Sequence, residues 1–243
     1  MDNQLKRLLK GALRGVGLEI HRTSTLSTTR HRRRAMIEHL GVEVVLDVCA
    51  NVGQYALDLR DTGYKQLIVS FEPLTGAFAV LQARAHSDPH WSVFNMALGA
   101  ADGEADINIS ENSASSSLLR MLETHVHYAP ASRYVSREHV RVKTLDTAAS
   151  EVVSSEKRVL LKLDTQGYEH RVLEGATSFL QQVHLIECEL SLVPLYEGQY
   201  LFLDMISLLD RYGFKPVHFD AGFGDPTTGY CLQVDGIFAR SEA

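Results

Sequence analysis

Residues 44–53 read V-V-L-D-V-C-A-N-V-G, a short β-branched apolar run that carries one acidic residue and turns at once toward a glycine. Such a run, without polar alternation, predicts a strand buried on both faces, and strands of that kind belong to parallel sheets covered by helices. The pattern then recurs. A helical stretch runs to about Gly63, Leu67–Phe71 is a second apolar run followed by Glu72-Pro73, and a helix is expected over about 74–86. Trp91 to Ala97 reads as a third strand and Val159 to Asp164 as another buried one. Strands alternating with helices predict an α/β, Rossmann-like fold with a mixed, mostly parallel sheet of about seven strands and its ligand crevice at the strand C-termini.

Between the third strand and Val159 the pattern loosens. Residues 104–109 alternate like an edge strand. Residues 110–137, rich in serine, are expected to form a long loop with a short helix near 117–125, and regularity returns at Val140–Leu145. A helix at about 168–181, a strand at His184–Leu190, a helix at 201–212 and an antiparallel pair at 214–219 and 232–239 complete the sheet. Upstream, Leu5, Leu8, Leu9, Ala12, Leu13 and Val16 fall at helical spacing with basic residues around the rest of the wheel, which predicts an amphipathic basic helix. A second short helix is expected over 30–40. The chain thus divides into an N-terminal helical extension, 1–40, and one large domain, 41–243, within the size range of a single core.

The net charge of −6 conceals an asymmetry. Residues 1–34 hold nine basic and two acidic side chains, and the remainder nets −13. An acidic body argues against nucleic acid as a partner, and the His31 to Arg34 run lacks the interleaved aromatics of a nucleic-acid reader. The basic segment suggests either a helix that packs on its own domain or peripheral attachment to an anionic membrane. Cys49, Cys188 and Cys231 are widely spaced and form neither a disulfide framework nor a zinc motif. With no apolar stretch of roughly 18 residues, the expected localisation is cytoplasmic, in the latter case with residues 1–34 on the inner face of the membrane.

Three acidic residues stand at strand ends, Asp47, Glu72 and Asp164, where an open α/β sheet binds its ligand. Glu72 follows Gly53 by 19 residues, the spacing at which a carboxylate can hold a ribose diol. Gly53 offers close backbone approach to a ligand. The phosphate-cradling G-x-G-x-x-G and G-x-x-x-x-G-K-[ST] motifs are both missing. A carboxylate at Asp47 would repel a pyrophosphate and attract an ammonium. S-adenosylmethionine has a ribose, an ammonium and a sulfonium but no phosphate, and the acidic lining suits it.

In order along the chain, D-V-C-A-N-V-G (47–53), S-F-E-P (70–73), N-M-A-L-G (95–99), T-L-D (144–146), L-K-L-D-T-Q-G-Y-E (161–169), E-C-E-L-S (187–191) and P-L-Y (194–196) resemble the FkbM-type methyltransferases. The resemblance covers roughly 44–240 and is most specific at K-L-D-T-Q-G-Y-E. It implies a class I, S-adenosylmethionine-dependent enzyme that O-methylates a sugar or polyketide hydroxyl, here a sugar of a glycolipid or secondary metabolite. It also implies that Asp47, Ala50, Asn51, Gly53, Glu72, Pro73, Asn95 and Ala97 line the cofactor pocket and that Asp164 faces the methyl group. One position departs: the family usually has glycine where this chain has Cys49. A left-handed cysteine costs about 1 kcal/mol or more, so the turn is expected to use ordinary dihedrals or to shift.

The candidate catalytic carboxylates are Asp164, Glu169 and Glu189. Asp164 is the first choice as base, Glu169 the second, and His218 a distant third. Glu187 and Glu189 share one strand face by the period of two, where buried carboxylates are costly unless paired. Asp164 with Glu189 is a conceivable Mg²⁺ pair, and His125-Val126-His127 beside Glu123 a conceivable ligand group, but no third ligand follows at a metal spacing, and no metal is expected. Tyr168 and Tyr196 suggest either an apolar or sugar-stacking wall or a place in the core. The acceptor is a small-molecule or lipid-linked sugar. A non-catalytic protein that kept the fold is the competing reading, against which stands the intact D-T-Q-G-Y-E. A nucleic-acid methyltransferase is opposed by the missing [ND]-P-P-[YF] element.

Overall fold

The computed structural model describes residues 28–154 and 156–241, with Arg7, Leu13 and Gly15 before them. The amphipathic helix expected over residues 1–20 lies outside the described residues apart from those three. Two compact units are formed, residues 1–39 and residues 40–243. Helix α1 (Thr29–Leu40) carries an Arg34–Glu38 ion pair of 2.6 Å one turn apart. Among the described residues no helix is long and apolar enough to cross a membrane.

Strands β1 (Val44–Val48), β2 (Leu67–Phe71) and β3 (Trp91–Phe94) are separated by helices α2 (Gln54–Asp61) and α3 (Thr75–Ala85). Later come β7 (Val159–Leu163), β8 (Val183–Ser191), β9 (Phe214–Ala221) and β10 (Gln233–Arg240). They form a seven-stranded sheet in the order β3-β2-β1-β7-β8-β10-β9. All neighbours pair in parallel except β10, which is antiparallel to both β8 and β9. This is the expected Rossmann-like methyltransferase sheet. Its apolar face, with Val44, Leu46, Val48, Leu161 and Leu163, packs against α5 (Leu145–Ser150), α6 (Glu169–Glu174) and α7 (Phe202–Arg211). Burying these side chains is the dominant favourable term, roughly 1.5–3 kcal/mol for each large aliphatic group.

Three expectations change. The strand expected over 91–97 breaks at Asn95. Beyond it β4 (Ala97–Leu98) leaves the main sheet and pairs with β6 (Tyr134–Lys143), which also pairs with β5 (Gly103–Ser110). This second, three-stranded sheet packs Ile107, Val140 and Val142 on Leu74 and Ala77. The loop expected over 110–137 is shorter, since β6 starts at Tyr134 and the helix within it is α4 (Glu123–Tyr128). The helix expected over 168–181 stops at Glu174, because Gly175 presses on the second sheet. A Cβ there would stand 2.0 Å from the Gly99 carbonyl oxygen.

Candidate active site

The turn after β1 is built from left-handed backbone. Cys49, Asn51 and Gly53 have φ of 59°, 50° and 89°. Cys49 therefore does not escape to ordinary dihedrals; it adopts the conformation that suits glycine, at about 1–2 kcal/mol. The surroundings hold it there. Glu72, only 3% exposed, accepts the Asn51 N–H on Oε2 (2.8 Å) and the Leu74 N–H on Oε1 (2.9 Å). The Ala50 N–H donates to the Phe71 carbonyl at 3.0 Å. Asn95 Nδ2 donates to the carbonyls of Glu72 and Pro73, each at 2.9 Å. Gly53 turns its bare Cα toward packing rather than toward the crevice, since a Cβ would lie 2.8 Å from the Trp91 ring and 2.9 Å from Leu81. Burial pushes the Cys49 thiol well above its usual value, with Glu72 adding to the effect, so it stays protonated.

Glu72 thus orders the turn. Burial raises its pKa to about 7 despite the two backbone donors. Because the folded value lies above the unfolded one, the linked stability is fully present below pH of about 4.5 and is lost as pH rises through about 7. The full span is on the order of 3 kcal/mol. The stability of wild type relative to Glu72→Gln is therefore expected to fall between pH 5 and pH 8 in denaturant titrations. A gap that stays constant over that range would show that Glu72 does not titrate there.

The other face of the main sheet carries a polar row. By register, Ser70 of β2 lies beside Asp47 of β1, Asp47 beside Lys162 of β7, and Lys162 beside Glu187 of β8. The Trp91 indole N–H donates to Ser70 Oγ (3.0 Å), and Ser70 Oγ donates to Asp47 Oδ2 (3.4 Å). Lys162 Nζ lies 3.3 Å from Asp47 Oδ1, 3.3 Å from Asp164 Oδ2 and 5.4 Å from the centre of the Tyr55 ring. Tyr55 in turn donates to Glu187 at 2.7 Å. Burial alone would lower the Lys162 pKa, but Asp164 and Asp47 outweigh it and hold the ammonium above its usual value. Lys162 is thus a permanent cation and no proton acceptor. Sequence reasoning missed it, although a lysine inside a strand buried on both faces is itself a signal that an acidic partner lies on the neighbouring strand.

At the C-terminal end of β7 the three candidate carboxylates have different surroundings. Asp164 is 41% exposed. Its Oδ1 accepts from Gln166 Nε2 at 2.9 Å, and its Oδ2 faces Lys162. Glu189 Oε2 accepts from Gln166 Nε2 (3.1 Å) and from Gln233 Nε2 (2.6 Å). Burial, then Asp164, Glu169 and Asp235, raises Glu189 well above the usual carboxylate range, which favours its protonated form. Glu169, 5% exposed, uses Oε1 to accept from the Thr165 N–H (2.7 Å), the Thr165 hydroxyl (3.0 Å) and the Gly167 N–H (3.3 Å), and so clasps its own turn. His218 lies within β9 rather than at its end. Tyr196 is 1% exposed and belongs to the core, whereas Tyr168 lines the crevice.

The crevice is a recess lined by Cys49, Pro73, Ala97, Leu98, Thr165 and Tyr168 and, from the segment after β5, by Ser116, Ser117 and Leu118. That segment is tied to the turns after β1 and β7. Ser113 Oγ accepts from Asn51 Nδ2 (3.3 Å), and Ser117 Oγ donates to the Gln166 carbonyl (2.8 Å). The residues fit a cationic, phosphate-free donor. Asp47, 0% exposed, has an Oδ1 that accepts no hydrogen bond although Lys162 stands near it, and Glu72 adds a second carboxylate beside the same turn. Of the residues expected at the cofactor pocket, Pro73 and Ala97 line the recess, whereas Asp47 and Glu72 do not.

Residues 47–216 match the profile of the methyltransferase FkbM domain. The chain is 25% identical over 197 residues to the 2-O-methyltransferase NoeI of Sinorhizobium fredii (strain NBRC 101917 / NGR234), covering 79% of this chain and 81% of that protein. Among solved structures it is similar to a putative S-adenosylmethionine-dependent methyltransferase from Listeria monocytogenes, with TM-score 0.49, 9% identity and coverage of 87% of this chain and 97% of that one. It is also similar to magnesium protoporphyrin IX methyltransferase from Synechocystis PCC 6803 with bound SAM, with TM-score 0.45, 10% identity and coverage of 99% and 98%.

Proposed function

The chain belongs to the FkbM methyltransferase family and takes its methyl group from S-adenosylmethionine, and from that premise we propose that the acceptor atom is a hydroxyl oxygen of a sugar. The observation that carries the proposal is the Asp164 carboxylate, 41% exposed at the end of β7 and held from two sides, with the next residue, Thr165, lining the donor recess. When bound, S-adenosylmethionine supplies an electrophilic methyl on a sulfonium. The remaining barrier is alignment of the acceptor oxygen, which a positioned site lowers by proximity, and removal of the hydroxyl proton. Asp164 accepts that proton as the O–C bond forms and the C–S bond breaks, the electron pair staying on sulfur. Of the three carboxylates it is the one left for this work, because Glu169 clasps its own turn and Glu189 favours its protonated form. An oxygen acceptor is supported by similarity to a 2-O-methyltransferase, and a sugar by the family resemblance. Its setting in a glycolipid or secondary metabolite is part of the same proposal.

The test is transfer of labelled methyl from S-adenosylmethionine to methyl glycosides, lipid-linked sugars, catechol and simple amines. Label is expected in sugars as base-stable ethers. Label confined to catechol or amines would overturn the sugar reading and leave the methyltransferase assignment intact.

A further inference from the structure

Gln166 is the residue on which the acceptor side of the site converges. Its backbone is left-handed (φ 55°), a conformation that costs a non-glycine residue about 1–2 kcal/mol, and Gly167 after it is left-handed too (φ 92°). Four hydrogen bonds meet there. The side-chain Nε2 donates to Asp164 Oδ1 (2.9 Å) and to Glu189 Oε2 (3.1 Å). Its Oε1 accepts from the Tyr196 hydroxyl (2.8 Å), and its backbone carbonyl accepts from Ser117 (2.8 Å). A primary amide has two N–H donors and one carbonyl oxygen, so both donors are committed, one to each carboxylate. Tyr196 has a single O–H, shared between the amide Oε1 at 2.8 Å and the Ser115 carbonyl at 3.2 Å, and the amide is the nearer acceptor. The amide stands between the two acidic groups and donates to each.

We propose that Gln166 is the positioning residue of the acceptor half: its amide bridges Asp164 and Glu189 and fixes the orientation in which Asp164 meets the acceptor hydroxyl. The proposal rests on Asp164 being the proton acceptor. Gln166 itself exchanges no proton. It acts by holding Asp164 Oδ1 while Lys162 holds Oδ2, which restrains rotation of the carboxylate. Neither a glutamate nor an aliphatic chain of the same length can do this, since both lack the two N–H groups.

Two measurements test it, and the first needs no acceptor. In ¹⁵N-labelled protein the Gln166 side-chain amide signal, identified by its loss in Gln166→Met, is expected to shift in both Asp164→Asn and Glu189→Gln. Its hydrogens should exchange with solvent at least about tenfold more slowly than those of exposed glutamines. A signal that exchanges like a surface glutamine, or that answers to one carboxylate alone, overturns the bridge. The second measurement is kinetic, with the sugar that accepts label. Gln166→Met and Gln166→Glu are expected to lower kcat about 100-fold. Acceptor KM and the Kd for S-adenosylhomocysteine should stay within about threefold, and Gln166→Asn should recover part of the loss. Equal losses in kcat and donor affinity would mean a merely structural role, and unchanged kcat would overturn the proposal. If wild type methylates no sugar, the acceptor reading fails while the amide signal still decides the bridge.

Discussion

Replacing Asp164 with Asn is expected to lower methyl transfer by at least about 100-fold, the span a positioned base contributes, while S-adenosylhomocysteine binds within about threefold of wild type. The substitution keeps the shape and removes the basicity. It also removes one of the two carboxylates beside Lys162, which then keeps Asp47 at 3.3 Å. Since Asp164 is 41% exposed, the new amide can turn away from the ammonium, and the stability cost should stay near 1–2 kcal/mol. Glu169→Gln is the informative companion. It weakens the clasp on Thr165 and Gly167, so it should cost stability before it costs chemistry. If turnover survives Asp164→Asn and collapses on Glu169→Gln in a folded protein, the base is Glu169. If both variants stay active, alignment alone drives the reaction.

The second large effect is on stability. Lys162→Met leaves Asp47 fully buried, with Ser70 Oγ at 3.4 Å as its remaining donor. Removing one partner of a buried pair costs about 3–5 kcal/mol, because the other either stays charged without compensation or takes up a proton. Burial already raises Asp47, and Lys162 opposes that rise, so the substitution drives it further up. The double variant Asp47→Asn/Lys162→Met removes both charges and should recover most of the loss, giving a coupling energy above about 2 kcal/mol in a double-mutant cycle. Denaturant unfolding measures all four proteins. A single-variant loss under about 1 kcal/mol would mean that Asp47 is compensated by something other than Lys162.

Strands β1, β2 and β7 were legible because each is a short, almost wholly apolar run that a sheet covered on both faces can bury. The second sheet was not. Ala97-Leu98 pairs with Val142-Lys143, and no local pattern announces a partner so distant in sequence. The strand beginning at Tyr134 is polar at alternate positions and looks like loop until β5 is laid against it. The helix after Glu169 ran too long in sequence because Phe179 and Leu180 continue its apolar spacing, and the nearness of Gly175 to the Gly99 carbonyl is written in neither segment. Within the site, the acidic residues at strand ends were found and their tasks were not. A carboxylate after a strand can serve a ligand or the N–H groups of its own turn, and Glu72 and Glu169 read alike in sequence. Cys49 follows the same logic in reverse. Its left-handed backbone is imposed by the bonds around it, and residue type alone argued against that conformation.

The polar row from Ser70 through Asp47 and Lys162 to Glu187 also bears on how the chain finds its fold. Parallel strands made almost wholly of Val, Leu and Ile look alike to one another at several offsets, so apolar burial discriminates weakly among alternative alignments. Sliding β7 by one residue against β1 would turn Lys162 onto the face packed by Leu46, Val48, Leu161 and Leu163 and strand its ammonium in hydrocarbon. A slip of two would keep the face and separate Lys162 from Asp47 by a full pleat. The row acts as a vernier on the sheet: of the alignments open to these strands, one brings the opposite charges level, and that same alignment carries Cys49 and Thr165 to a shared recess.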